Sequence, residues 1–135
     1  MALTAAQTLT VYHACGLRAE GGTYYLVRFT PYSVTDISDT DVSFDYSGVK
    51  TLIDTNLAAL SDDANTWLGT HITTYDSTVT SSFKMKGEVV LDDESEFSKA
   101  RALIRDIVGV HVEAVDIIEE SRNKGAGGLQ GRVTR

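Results

Sequence analysis

The sequence predicts a mainly α domain: a small bundle of about four helices with a β-rich insertion or hairpin and an extended C-terminal arm. Its 135 residues suffice for one domain and leave no room for a second. Four segments space their apolar residues at the period of a helix, whereas residues 17–45 and 77–91 do not. We therefore expect residues 1–121 to form one helical domain and residues 122–135 to form a flexible, glycine-rich, basic arm.

The first predicted helix lies within residues 3–15. Its apolar stripe has members at i, i+4 and i+7, namely Ala5, Leu9 and Tyr12. Thr4 stands at the position of an N-cap, and Gly16 is of the residue type that commonly ends a helix. These features together predict a short N-terminal helix.

The stretch from Leu17 to Asp45 loses the helical period. Turn-forming residues interrupt it at Gly21, Gly22 and Pro31. Between these turns, residues 23–30 are rich in β-branched and aromatic side chains. We expect an extended loop that includes one strand or hairpin.

Two further helices are predicted between Ser47 and Tyr75. Ser47 is the expected N-cap of the first, whose apolar stripe is Val49, Leu52, Ile53, Leu57 and Leu60. Ser61 begins the second, whose stripe is Ala64, Trp67, Leu68, His71, Ile72 and Tyr75. The short connection predicts a helical hairpin or bent pair. Trp67 and Leu68 are then central core residues, and Trp67→Ala is expected to cost about 3 to 5 kcal/mol.

The C-terminal half is expected to contain a small β-hairpin or extended excursion, then one more helix. Between residues 77 and 91 the apolar residues recur with a period of two. Asp93 and Glu96 have the spacing of a capping box at the start of the last helix, and Gly109 ends it. Beyond this glycine, residues 110–118 are interpreted as a final strand.

Charge is unevenly distributed along the chain. The net charge is −7, but residues 1–121 hold 8 basic and 19 acidic residues, or −11, and the last 14 residues carry +4. An acidic body repels the phosphate backbone of DNA, whereas the basic arm suits contact with nucleic acid or an acidic protein surface. Apolar runs are far shorter than the roughly 20 residues that span a bilayer, and the N-terminus lacks a signal-peptide pattern. With one cysteine, Cys15, no internal disulfide forms, which is typical of a reducing compartment.

Three histidines are the first candidates for chemistry. His13 and Cys15 combine a base with a nucleophile, but residues at i and i+2 of a helix point about 200 degrees apart and form no catalytic pair. His71 lies on an apolar stripe, where a hydrogen-bonded core or interface histidine is more common than a metal ligand. His111 has only Glu113 nearby, which is too few ligands for zinc.

The remaining polar patterns also have structural explanations. The acidic residues Asp36, Asp39, Asp41 and Asp45 offer oxygen ligands for Ca²⁺, but they lack the Asp-x-Asp-x-Asp-Gly spacing and the closing Glu of a calcium loop. The acidic residues Asp92, Asp93, Glu94 and Glu96 fit the positive end of a helix dipole. The glycines match neither a phosphate-binding loop nor a nucleophile elbow. We therefore predict a protein that is not an enzyme, with no catalytic residues, no metal and no cofactor.

The arrangement resembles the small head-tail adaptor (connector, or head-completion) proteins of tailed bacteriophages. Three segments carry the resemblance: the Leu3–Gln7 helix leading to Gly16-Leu17, the amphipathic pair from Ser47 to Tyr75, and residues 86–92 feeding the 102–110 helix end. Together they cover most of the chain.

The resemblance implies a non-catalytic structural protein of the virion neck, assembled in the host cytoplasm. It implies a homo-oligomeric ring, commonly a dodecamer, that docks beneath the portal and extends the DNA channel towards a downstream neck or tail protein. DNA would pass through the acidic ring without sequence-specific binding. The runner-up is a tail or baseplate structural subunit, and a small-molecule-binding enzyme is the third alternative.

The arm is the predicted partner-binding element, and in the resemblance it embraces the portal. Its candidate contact residues are Arg122, Lys124, Leu129, Arg132, Val133 and Arg135. Glycines between them permit close backbone approach to a partner, while Leu129 and Val133 provide apolar anchors. The alternative interpretation is a terminus without a role.

Overall fold

The computed structural model describes residues 3–20, 23–38, 44–85, 88–114, 116, 117 and 119. Four helices and a five-stranded antiparallel sheet lie within these ranges, so the chain has an α+β fold. The predicted mainly α bundle is therefore wrong. It is wrong because the segment expected to be a loop with one strand or hairpin contributes three strands, which join the later hairpin in one sheet.

The elements, in chain order, are α1 (Ala5–Ala14), β1 (Leu17–Glu20), β2 (Thr23–Phe29), β3 (Ser33–Ser38), α2 (Tyr46–Ala58), α3 (Asp62–Ser81), β4 (Phe83–Met85), β5 (Glu88–Val90) and α4 (Glu94–Val108). The strand order is β1-β2-β3-β5-β4. β1, β2 and β3 form a meander in which Leu26 lies opposite Leu17 on one side and Ile37 on the other. The β4–β5 hairpin joins it through β3, where Val34 lies opposite Val89.

Different segments cover the two faces of the sheet, because successive side chains of a strand point to opposite sides. Val27 and Val34 belong to the larger core, which also contains residues of α1, α3 and α4: Val11, Leu68, Ile72, Tyr75, Phe97 and Ile104. Leu17 and Leu26 face the other way and pack in a smaller core with Tyr46, Val112 and Ala114. No helix in the described part of the chain has the length and apolar character needed to cross a membrane.

Several predicted helix ends are confirmed, among them Ser61 at the start of α3. The Thr4 hydroxyl accepts the Gln7 N–H at 3.1 Å, and the Gln7 side chain accepts the Thr4 N–H at 2.9 Å, which completes a capping box. The Asp93 carboxylate accepts the Glu96 N–H at 3.1 Å at the start of α4. Gly109 ends α4 with a φ of 76°, a left-handed conformation that glycine adopts without a Cβ penalty.

The start of α2 differs from the prediction. Asp45, not Ser47, is the N-cap, and its carboxylate accepts the Gly48 N–H at 3.0 Å. Asp and Ser are both favourable N-cap residues, so residue type alone does not determine which of them begins α2.

The final strand predicted for residues 110–118 is also wrong. Residues 110–113 lie in no strand of the described sheet, and Ala114, Asp116 and Ile117 are helical. The alternating apolar residues are buried by packing instead of by pairing: Val110 joins the larger core, while Val112 and Ala114 join the smaller one.

The expected burial of Trp67 is wrong, whereas that of Leu68 is confirmed. Leu68 is fully buried, but Trp67 is 54% exposed and lies edge-on to His71 with ring centroids 5.0 Å apart. The apolar stripe of α3 is wider than the face that its neighbours cover, which is limited to Leu68, Ile72 and Tyr75. Leu52 of α2 is 49% exposed for the same reason.

Candidate functional site

A cavity of about 410 Å³ lies between α1, α3 and the helix-facing side of the sheet. Its volume is within the range of small-molecule sites. Apolar residues form much of its wall, including Leu9, Val34, Val79 and Val89. Its ionisable residues are His13, Arg18, Asp36, Tyr75, Asp76 and Lys84.

His13 and Tyr75 form the polar centre of this cavity. The Nδ1 atom of His13 and the Tyr75 hydroxyl share a hydrogen bond, and their rings meet edge-on. Burial, together with the nearby cations Arg18, Arg101 and Lys84, lowers the pKa of His13 to about 3. Burial also raises the pKa of Tyr75 well above its usual value. Both groups are therefore uncharged at pH 7.

This neutral pair suits hydrogen bonding better than proton transfer. A general base works best when its pKa lies near the operating pH, and His13 lies far below neutrality. The Tyr75 ring also packs against Phe97, with centroids 4.9 Å apart. The pair therefore joins α1 to α3 and to the larger core.

Acidic conditions are expected to destabilise the protein through His13. The pKa of His13 is about 6.5 in the unfolded chain and about 3 in the folded chain. The stabilisation that neutral His13 gives the folded chain is therefore complete above pH 6.5. It is lost as the pH falls, because the unfolded chain binds the proton first. The loss at pH 5 is about 2 kcal/mol of unfolding free energy. Urea unfolding at pH 7 and pH 5 measures it. His13→Gln should lose less between the two pH values, and an equal loss would assign the effect to carboxylates instead.

Arg18 and Asp36 form the charged part of the cavity wall. Their side chains are 2.7 Å apart, and the Arg18 guanidinium lies 4.5 Å from the centroid of the Tyr25 ring. Lys84 and Asp76 are exposed and carry opposite charges. The charges around the cavity thus balance, which favours neither a cationic nor an anionic ligand.

Cys15 is buried behind this site. Burial raises the pKa of its thiol to about 12, although Arg105 and Arg101 act in the opposite direction. A protonated thiol is a poor nucleophile. His13 forms its hydrogen bond with Tyr75 and not with Cys15. This geometry agrees with the sequence analysis that His13 and Cys15 form no catalytic pair.

A second charged cluster joins α4 to the segment that follows it. The Glu113 carboxylate lies 3.8 Å from Arg101, 3.7 Å from Arg105 and 2.7 Å from His111. Arg101 also lies 3.5 Å from the centroid of the Phe29 ring. Burial, with Arg105 nearby, lowers the pKa of Arg101 to about 10, so its charge persists at neutral pH. His111, hydrogen-bonded to Glu113, thus belongs to a polar cluster that holds residues 110–113 in place.

The other predicted candidates separate in the structure. Asp36 pairs with Arg18, and Asp45 caps α2, so these members of the acidic run have structural roles. Asp39 and Asp41 lie outside the described residues. His71 packs against Trp67, and its Nε2 is buried without a hydrogen-bond partner among the described residues.

The hairpin carries a different feature, an exposed apolar surface that we call the β4–β5 face. It consists of Phe83, Met85 and Val90, which are 61%, 58% and 42% exposed. Phe83 lies opposite Val90 in the register, and Met85 lies two residues along the same strand, so the three side chains share one side of the sheet. Their neighbours Lys84 and Val89 point to the opposite side and line the cavity.

The predicted partner-binding residues of the arm, Arg122 to Arg135, lie outside the described residues. Sequence analysis missed the His13–Tyr75 pair, because 62 residues separate its members. It also missed the β4–β5 face. The alternation around Phe83 predicts a hairpin, but alternation alone does not indicate which side of the hairpin stays uncovered.

Comparison of the chain with protein-family models, with curated proteins and with solved structures finds no match.

Proposed function

We propose that this protein is a structural subunit that assembles with copies of itself and serves as a ring-forming head-tail adaptor. The observation that carries the assembly part is the exposed β4–β5 face. Three large apolar side chains are grouped on one side of the outer hairpin, while the rest of the sheet packs against helices and the 110–114 segment. Grouped exposed apolar residues mark interaction sites more often than isolated ones do.

The position of this face strengthens the argument for assembly. β4 is the last strand of the described sheet order, so its outer backbone groups form a sheet edge. An edge strand with exposed apolar side chains is a template for pairing with another chain. A protein that keeps such an edge without a protein partner risks uncontrolled aggregation.

The adaptor role rests on the family resemblance and on charge. The acidic body, at −11 over residues 1–121, suits the wall of a channel through which DNA slides, because a basic wall would bind phosphates. Helices are present in the segments that carry the resemblance, at α1, α2, α3 and α4. The five-stranded sheet departs from the helical fold that the resemblance implies. In this role the neighbours are a portal protein above and a neck or tail protein below.

The experiment has two stages. Sedimentation velocity and electron microscopy of the purified chain are expected to show closed rings instead of a 14.6 kDa monomer. The rings are then mixed with portal rings and, separately, with tail-tube protein. Binding to portal supports the adaptor, and binding to tail-tube protein alone supports a tail subunit. A monomer at all concentrations, with a small molecule bound in the cavity, contradicts the whole proposal.

A further inference from the structure

The β4–β5 face has acidic residues around it. Glu88 lies opposite Met85 in the hairpin and is exposed. Asp92 is exposed as well, and its N–H donates to the Ser82 hydroxyl at 3.2 Å, which places it beside the residue before Phe83. The surface therefore combines an apolar centre with an acidic border.

Lys84 of β4 does not neutralise the border, because it alternates with Phe83 and Met85 and so belongs to the cavity side of the sheet. Lys86, the other lysine of the hairpin, lies outside the described residues. Asp93, next to Asp92, is also exposed and adds negative charge while capping α4. A segment that binds this surface thus needs positive charge together with apolar side chains.

Residues 122–135 of this same chain have that chemistry. They contain four basic residues and no acidic one, and their two large apolar residues are Leu129 and Val133. In an extended segment, residues separated by an even number lie on one side, so Leu129, Gly131 and Val133 would share a side. Glycine at the centre permits close approach of the backbone to a strand edge.

We propose that the arm, residues 122–135, of one copy docks on the β4–β5 face of the next copy. Leu129 and Val133 contact the apolar centre, and the basic residues lie against the border at Glu88 and Asp92. The arm adds alongside β4, which is the β-augmentation mode of recognition. This inference rests on the proposed function, because it names the contact through which copies assemble.

A contact between copies accounts for assembly, whereas a contact within one copy does not. Docking within a copy would occupy both the arm and the face, and neither would remain for assembly. Docking between copies uses two different surfaces of each chain. Such head-to-tail contacts generate rings when the rotation closes. One arm binds weakly because ordering it costs conformational entropy, and many contacts around a ring compensate for this cost.

The test uses two full-length variants that each lose one side of the contact. The face variant carries Phe83→Thr and Met85→Thr, since threonine retains the propensity for strand structure. The arm variant carries Leu129→Ser and Val133→Ser. Leu52→Thr is the matched control, because Leu52 is similarly exposed but lies on α2. Sedimentation velocity at several concentrations measures assembly, and circular dichroism verifies folding.

We expect the wild type and the Leu52→Thr control to assemble, and each of the two variants alone to remain monomeric. A one-to-one mixture of the face and arm variants should form a heterodimer and nothing larger, at concentrations well above those at which the wild type assembles, because one weak contact joins one intact arm to one intact face. Monomers alone at every concentration of the mixture would contradict docking between copies. Wild-type assembly by the face variant would contradict the role of the face.

Charge reversal provides a second route if threonine unfolds the hairpin. Glu88→Lys with Asp92→Lys should weaken assembly roughly tenfold or more at low salt, which corresponds to about 1.4 kcal/mol. Asp93 is left unchanged because it caps α4. Unchanged assembly in the charge-reversed protein would contradict the role of the acidic border.

These results separate the inference from the proposed function. If the arm variant still forms rings but no longer binds portal, the arm serves the portal, so the inference is wrong while the proposed function stands. If the wild type never assembles, both are wrong.

Discussion

Replacing Gly16 with alanine is expected to destabilise the fold by about 3 kcal/mol or more. Gly16 has a φ of 104°, and a Cβ atom there would lie 2.4 Å from the carbonyl oxygen of Val112. The backbone cannot move aside easily. The Gly16 carbonyl accepts the Val27 N–H at 2.9 Å, and the Cys15 carbonyl accepts the Val112 N–H at 2.7 Å. Urea unfolding followed by circular dichroism measures the loss.

Gly109→Ala is the matched control for Gly16→Ala. Gly109 also has a positive φ, 76°, but the nearest atom to an added Cβ is 4.0 Å away, on Asn56. Only the backbone cost should remain, about 1 to 2 kcal/mol. If both substitutions cost the same, the close approach of Val112 to Gly16 contributes nothing to stability.

Leu68→Ala is expected to cost about 2 to 5 kcal/mol of unfolding free energy, whereas Trp67→Ala should cost less than about 1 kcal/mol. The two residues are adjacent on α3, but Leu68 is fully buried and Trp67 is about half exposed. Truncating Leu68 therefore leaves a cavity in the larger core. Unfolding is followed by far-UV circular dichroism, because Trp67→Ala removes the chain's one tryptophan and with it the fluorescence signal. Equal costs would place Trp67 in a covered position and contradict the described packing of α3.

The helices were largely predictable from the sequence because their signals are local. Periodicity, the Thr4 and Asp93 caps and the Gly109 stop all lie within one element or next to it. The edges of the stripes were less predictable. Whether Trp67 or Leu52 is covered depends on how much of each helix its neighbours reach, and that is a property of tertiary packing.

The sheet was not predictable in the same way. β1 has only four residues, which are too few for their alternation to distinguish a strand from an extended loop. The pairing of β3 with β5 joins Val34 to Val89 across two intervening helices. The candidate site has the same character, since His13 and Tyr75 meet only after α1 and α3 have packed on the sheet.

The position of β5 between β3 and β4 also affects synthesis of the chain. β3 leaves the ribosome about 50 residues before β5, its second partner. Synthesis of these residues takes roughly 3 to 10 s at about 5 to 20 residues per second. Throughout that interval the nascent meander β1–β3 has an unpaired edge along β3, which is able to pair with other nascent chains on the same polysome. A ribosome that stalls within α3 therefore holds a nascent chain whose β3 edge is unpaired, and that edge closes only after β5, which ends at Val90, has emerged.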